Sequence, residues 1–139
     1  MRMSTKAQYA VRALVSLNLY GDGGPVTLRD IAVREEISLT YLEQLFVKLR
    51  RCGVVRSVRG PGGGYLLARP AREILVDQIV DSVEETLVPV SCMDKEGRCQ
   101  CTTQCVTHSV WQGLGERIRA FLSSISLEDL TQEAKAALK

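Results

Sequence analysis

The sequence predicts a mainly α chain that carries one small β-hairpin. Three observations lead there. Two helical patterns meet at a tight turn around Ile37. Directly after them, two short apolar runs flank the glycine-rich stretch Arg59-Gly-Pro-Gly-Gly-Gly64. Further on, apolar residues recur at three-four spacing from Trp111 to Ile125. In that order the pieces make a winged helix-turn-helix followed by a long dimerisation helix.

The bulk numbers agree with this size of object. A chain of 139 residues fits one compact domain, or a small domain with an oligomerisation extension. Its 45% hydrophobic content is enough for a core, which excludes a disordered chain. No run of eighteen apolar residues and no leader pattern occurs, so a cytoplasmic location is expected. The net charge of +2 hides an asymmetry. Residues 1–72 carry twelve Lys/Arg against five Asp/Glu, or +7, whereas residues 73–139 carry six against eleven, or −5. A basic first half beside an acidic second half points to a polyanion held by the first half alone.

Ser4 or Thr5 caps a first helix to about Tyr20, with Tyr9, Ala10, Ala13, Leu14 and Leu17 at helical spacing. Gly21-Asp-Gly-Gly-Pro25 ends it. Arg2, Lys6 and Arg12 are placed to reach phosphates or water from this helix. Thr27 opens a short helix, Leu28 to about Glu35, with Asp30 in its first turn. Ile37 makes the turn, and Ser38 caps the next helix from Leu39 to about Cys52. Leu42, Leu45, Phe46 and Leu49 form its buried face.

The second helix of such a unit enters the major groove by its N-terminal end. The exposed candidates there are Ser38, Thr40, Tyr41, Glu43 and Gln44. Gln44 suits a bidentate contact to adenine, and Glu43 accepts from cytosine N4 while repelling misplaced phosphate. Lys48, Arg50 and Arg51 follow on the backbone side. An ordinary amphipathic helix with a polar outer face has the same pattern, so the hairpin that follows decides. Val54–Val58 and Tyr65–Ala68 read as its strands. The tip of Gly60, Pro61 and Gly62 permits close backbone approach, and Arg59 is placed to enter a minor groove. No Gly-Lys-Ser/Thr follows, which excludes a nucleotide-cradling loop.

Leu75 to about Glu85 forms another helix, with Leu75, Ile79 and Val83 on one side. After Pro89 comes the densest chemistry in the chain. Cys92, Cys99, Cys101, Cys105 and His108 fall within seventeen residues, four of the five cysteines and the only histidine. Thiolates and neutral imidazole are ligands for zinc and for iron–sulfur clusters, and by residue type both fit. In a reducing compartment such crowding means metal or redox chemistry more than disulfides. From about Thr107 a long helix runs to Ile125, with Trp111, Leu114, Ile118, Phe121 and Ile125 as one seam that dimerises. Ser126-Leu-Glu-Asp caps a last helix to about Leu138. Cys52 reads as a packed small residue. The expected organisation is residues 1–85 for DNA binding, 86–108 for the cysteine-rich loop and 109–139 for the dimerisation and C-terminal helices.

Tyr9-Ala-Val11, Ile37-Ser-Leu-Thr-Tyr-Leu-Glu-Gln-Leu-Phe46, Ser57-Val-Arg-Gly-Pro-Gly-Gly-Gly-Tyr65 and Cys105-Val-Thr-His108 resemble the IscR-like branch of the Rrf-two family of bacterial regulators. The resemblance covers roughly residues 1–130. It implies a homodimer on promoter DNA, repressing or activating, with a 2Fe–2S cluster supplied by the cluster-assembly machinery. Residue by residue it carries over Cys92, Cys99, Cys105 and His108 as ligands. It also carries over Ser38, Thr40, Tyr41, Glu43, Gln44 and Arg59 as DNA readers. Four departures stand out: the Cys92–Cys99 interval is one residue longer, Cys101 is additional, position 40 is Thr where the family often has Ser, which keeps the hydroxyl, and the C-terminal tail is shorter. Cys101 is then either a substitute ligand for Cys99 or His108 or a spare thiol near the cluster. Other branches sense nitric oxide through a cluster, or cysteine supply without one.

The function expected is a regulator whose promoter recognition follows cluster status, and not an enzyme. No second constellation of acid, base or nucleophile accompanies the cysteines. The rivals are an iron–sulfur or zinc redox enzyme and a cofactor-free repressor whose thiols respond directly to oxidants.

Overall fold

The structure is a computed structural model, and it describes residues 3–83 and 106–138. The first helix, α1 (Thr5–Tyr20), starts where Ser4 accepts the Ala7 amide at 3.3 Å. It buries Ala7, Ala10, Ala13, Leu14 and Leu17. Three alanines on that face let neighbouring helices approach closely. Next, α2 (Leu28–Glu35) is capped by Thr27, whose Oγ1 accepts the Asp30 amide at 3.1 Å. It ends on Glu36, which takes the left-handed conformation, φ 54° and ψ 44°. The Ile37 amide then returns to the Ala32 carbonyl, and Ile37 is buried beneath the turn.

Ser38 caps α3 (Leu39–Arg51), which buries Leu42, Leu45, Phe46 and Leu49 as its spacing predicts. The helix closes with Val54 donating to Leu49 O and Gly53 to Arg50 O, a Schellman pair that aims the chain into the hairpin. The hairpin is β1 (Val55–Val58) against β2 (Gly64–Leu67), antiparallel, with Val55 opposite Leu67 and Val58 opposite Gly64. A third edge, invisible to periodicity, comes from one residue. Val26 donates to Tyr65 O at 3.0 Å and accepts from Tyr65 N at 2.8 Å. The Tyr65 ring also packs on Phe46, centroids 5.0 Å apart, so the wing is fixed to α3.

A short 3-10 turn (Ala71–Glu73) leads to α4 (Val76–Ser82), which buries Val76, Ile79 and Val80. Gln78 Oε1 accepts the Leu75 amide at 3.0 Å in the cap of α4. The sequence reading carried α4 to about Glu85; the described part of it ends at Ser82 with Val83 as its cap, and residues 84–105 lie outside the described residues.

Beyond them, α5 (His108–Ser123) lies along α4, joined by Arg119 to Asp81 at 3.1 Å. Then α6 (Leu127–Ala137) begins in a capping box, Ser126 with Asp129. It packs on α1, where Asn18 Nδ2 donates to Thr131 Oγ1 at 2.8 Å. Leu127 is fully buried in the same cluster as Leu14, Ile31, Phe46 and Ile79, so α6 shares the core of the winged head. No helix among the described residues is long and apolar enough to cross a membrane.

Candidate nucleic-acid interface

The face of α3 opposite its buried leucines carries Thr40, Glu43 and Gln44, all exposed. Their i, i+3, i+4 spacing puts them on one patch in the first two turns. Ser38 is exposed too, but its Oγ already accepts the Tyr41 amide at 3.4 Å. What remains for a phosphate or base is its O–H as donor.

Tyr41 differs from expectation. It is half-buried, its ring edge-on to Tyr9 at 5.7 Å, and Arg12 stacks over Tyr9 at 5.4 Å. The aromatic ring is thus packed between α3 and α1. Arg12 is not a loose phosphate reader either. It donates to the Glu35 carbonyl at 2.7 Å and pairs with Glu35 Oε1 at 3.5 Å. A cation there answers the negative end of α2. Arg34 likewise stacks on Tyr20 at 4.2 Å.

Arg50 and Arg51 are exposed in the last turn of α3, beside the exposed cap residue Cys52. The packed role read for Cys52 is therefore corrected: a cap at the end of α3 lies beyond the last turn that touches the core.

At the wing tip, Gly63 N donates to Gly60 O at 2.9 Å, closing a four-residue turn. Pro61 supplies its second position, and Gly62 its third with φ 74°, the signature of a type II turn. Arg59, Gly60, Pro61 and Gly62 are all exposed. At the other end of the loop, a Cβ on Gly64 would lie 2.4 Å from Val26 O, so the three-edged wing needs glycine there. The sequence reading passed over Arg56, which is exposed on β1 between buried Val55 and half-buried Val58. Its charge beside the apolar Val54 and Val55 was the signal that marked it as solvent-facing.

Of the ligand candidates, Cys92, Cys99, Cys101 and Cys105 lie outside the described residues. His108 is the first residue of α5, half-buried, next to Thr107, whose Oγ1 accepts the Trp111 indole N–H at 3.2 Å. Among the described residues no three of His, Cys, Asp and Glu come together as a metal site.

The seam of α5 also differs from expectation. Ile118 and Ile125 pack against the core, and Trp111 is half-buried. Leu114 and Phe121 point away, 42% and 63% exposed, together with Val110 at 57%. A line of alternating three-four steps has two sides. With one side laid on the head, the other faces out.

A family model described as Rrf2, iron-dependent transcriptional regulator, matches residues 3–133. The chain belongs to the Rrf2 family. The HTH-type transcriptional regulator IscR of Xenorhabdus nematophila is 51% identical over 132 residues, covering 95% of this chain and 80% of that protein. Among solved structures, T. potens IscR superposes with a TM-score of 0.81 at 37% identity, covering all of this chain and 92% of the other. CymR, the global cysteine regulator of B. subtilis, has a TM-score of 0.81 at 29% identity, covering 96% and 98%. As an Rrf2 protein with a winged helix-turn-helix, the chain is a DNA-binding transcription regulator and not an enzyme.

Proposed function

We propose that this Rrf2 protein is a homodimer whose choice of promoter is controlled by a 2Fe–2S cluster held by Cys92, Cys99, Cys105 and His108. Three thiolates and one imidazole suit such a cluster by the chemistry of the donors. Replacing one thiolate by neutral imidazole lowers the negative charge around it, which raises its potential and loosens its hold. When bound, the cluster supplies a labile redox centre whose presence reports iron and sulfide supply.

The observation that carries the reading is the position of His108. It opens α5, and α5 is tied to the winged head by Arg119–Asp81 and by the bridge between Leu75 and Ser126. A ligand pulled at this end therefore tilts a helix that is joined to the DNA-binding unit. The exposed apolar side of α5 supports dimerisation, since patches of that kind mark association surfaces. Thr40, Glu43 and Gln44 then read the major groove, Arg59 with the Gly60-Pro61-Gly62 tip reaches the minor groove, and Arg50 holds phosphate, with Ser38 and Tyr41 beside them. Half-sites for such a dimer lie about one helical turn apart, roughly 34 Å, so a small rotation of the heads changes the fit.

Protein purified without oxygen tests the cofactor. Near-ultraviolet and visible charge-transfer bands, with iron and acid-labile sulfide in equal amounts, are expected, and both should vanish in Cys105→Ala. A colourless protein containing zinc would overturn the cluster reading.

A second reading has one observation in its favour. The likeness to CymR, named for cysteine regulation, fits a repressor that responds through thiols without a cluster. In that case wild type and Cys105→Ala would both be colourless and would bind DNA alike until oxidised.

A further inference from the structure

We infer that a hollow behind the wing is a second binding site, built for a zwitterion: a free α-amino acid with an apolar side chain. It is separate from the cluster ligands and from the exposed face of α3.

The hollow, about 460 Å³, lies between the turn that ends α1 and the outer face of the hairpin. That volume falls in the range of small-molecule sites, roughly 300–1,000 Å³. The strand register settles which face of the wing is involved. Tyr65 stands opposite Ser57 and meets Phe46 of α3. The neighbouring pair, Arg56 opposite Leu66, therefore has its side chains on the other face, and both residues line the hollow. A ligand held there leaves α3 free for DNA.

The two walls carry opposite charge. On the wing side stand Arg56 and Arg69. Arg69 is half-buried, and Gln78 Oε1 accepts from its Nη2 at 3.3 Å. That bond fixes the guanidinium and leaves its other donors for a carboxylate. On the α1 side stand Asp22 and the carbonyl end of the helix, whose last turn has no basic residue of its own. Asp22 (φ 41°) and Gly23 (φ 79°) reverse the chain, and Gly24 donates to Gly21 O at 2.7 Å, so the carboxylate rides on a closed turn. Asp22 and Arg56 line the same hollow, yet neither makes a hydrogen bond or an ion pair with any described residue. Leu17 and Leu66 add apolar surface to it.

This lining selects by charge. A simple anion would meet Asp22 and the negative end of α1, and a simple cation would meet two arginines. A molecule with both charges answers both walls, its carboxylate on Arg56 and Arg69, its ammonium on Asp22, and its apolar side chain on the leucines. Bound in this way it joins β1 to the turn between α1 and α2, on the face of the wing that Phe46 does not reach. The wing thus has an input of its own, independent of the cluster.

Titration of the isotope-labelled full chain tests this, followed by the backbone amide resonances of Gly23, Gly24 and Leu66. The probes are L-alanine, L-leucine and L-methionine, each added alone. At least one should give a saturable shift. Its carboxamide and its deaminated acid, each lacking one charge, should bind about tenfold more weakly or worse. Arg56→Ala and Asp22→Asn should each weaken binding by about tenfold or more, and asparagine suits the left-handed backbone at position 22, so the turn is kept. No saturable shift from any of the three probes overturns the inference. Equal binding of either single-charge analogue, or of inorganic phosphate, overturns it as well, and so does an affinity that neither variant changes. Iron-stripped protein should give the same affinities, so a failure of the cluster reading leaves this site untouched.

Discussion

Leu75 and Ser126 face each other as an isolated antiparallel bridge: Val76 donates to Ile125 O at 2.9 Å, and Leu127 donates to Ile74 O at 2.8 Å. The link between α5 and α6 is thereby stitched to the link that enters α4. Whatever tilts α5 acts on a segment held by two backbone hydrogen bonds to the winged head.

The C-terminal helix should therefore behave as core. Leu127→Ala removes a fully buried side chain from the central cluster, and a loss of about 2–5 kcal/mol is expected. Urea unfolding followed by circular dichroism should show one transition shifted as a whole. Two separate transitions would mean that α6 folds apart from the head.

The α1–α6 contact has a polar pin. Thr131 is buried, accepts from Asn18 and donates to Leu127 O at 2.8 Å. Thr131→Val keeps the shape and leaves the Asn18 amide without this acceptor, so a cost of about 1–2 kcal/mol is expected. An unchanged urea midpoint would show that water replaces the hydroxyl at no cost.

Two backbone positions predict opposite signs. Glu36 adopts the left-handed conformation in the helix-turn-helix turn, so Glu36→Gly should stabilise by about 0.5–1 kcal/mol. Gly64→Ala drives a methyl into Val26 O and should cost more than about 1 kcal/mol, with weaker DNA binding as the wing shifts. Thermal melts of both variants decide it.

Arg59 and Arg50 should separate by their behaviour on DNA. Arg59→Ala is expected to weaken operator binding by about 1–3 kcal/mol and to relax the sequence preference under the wing. Arg50→Ala should weaken all sequences alike and reduce the salt slope by roughly one. Fluorescence anisotropy on operator and scrambled duplexes at several salt concentrations distinguishes them; equal losses on both duplexes for Arg59→Ala would make it a phosphate contact.

Much of the head was legible in the residues because its signals are local. Ser4, Thr27 and Ser38 cap the helices they announce, and the α3 leucines with Phe46 bury as spaced. Non-local pairings were not legible. The single Val26–Tyr65 bridge has no period, and Arg12 turning to Glu35 depends on how two helices pack. The α5 seam was read as one stripe because three-four spacing does not tell which flank meets the head. Tyr41 and Cys52 differ from expectation in opposite directions because burial depends on what packs across from the residue: Tyr41 meets Tyr9 and is half-buried, whereas Cys52, the cap of α3, is exposed. The crowding of thiols and imidazole was legible from chemistry, whereas the particular ligand set was implied by the resemblance, and of it only His108 falls among the described residues.

The most direct test of the central claim is DNA affinity across a panel of operators, measured without oxygen on cluster-loaded wild type, on the same protein stripped of iron, and on His108→Ala. Control by the cluster predicts that loading reorders the panel, with some operators shifting by about 1–3 kcal/mol relative to others, and that stripping or His108→Ala abolishes the reordering. Identical rank and affinity in all three preparations would contradict it.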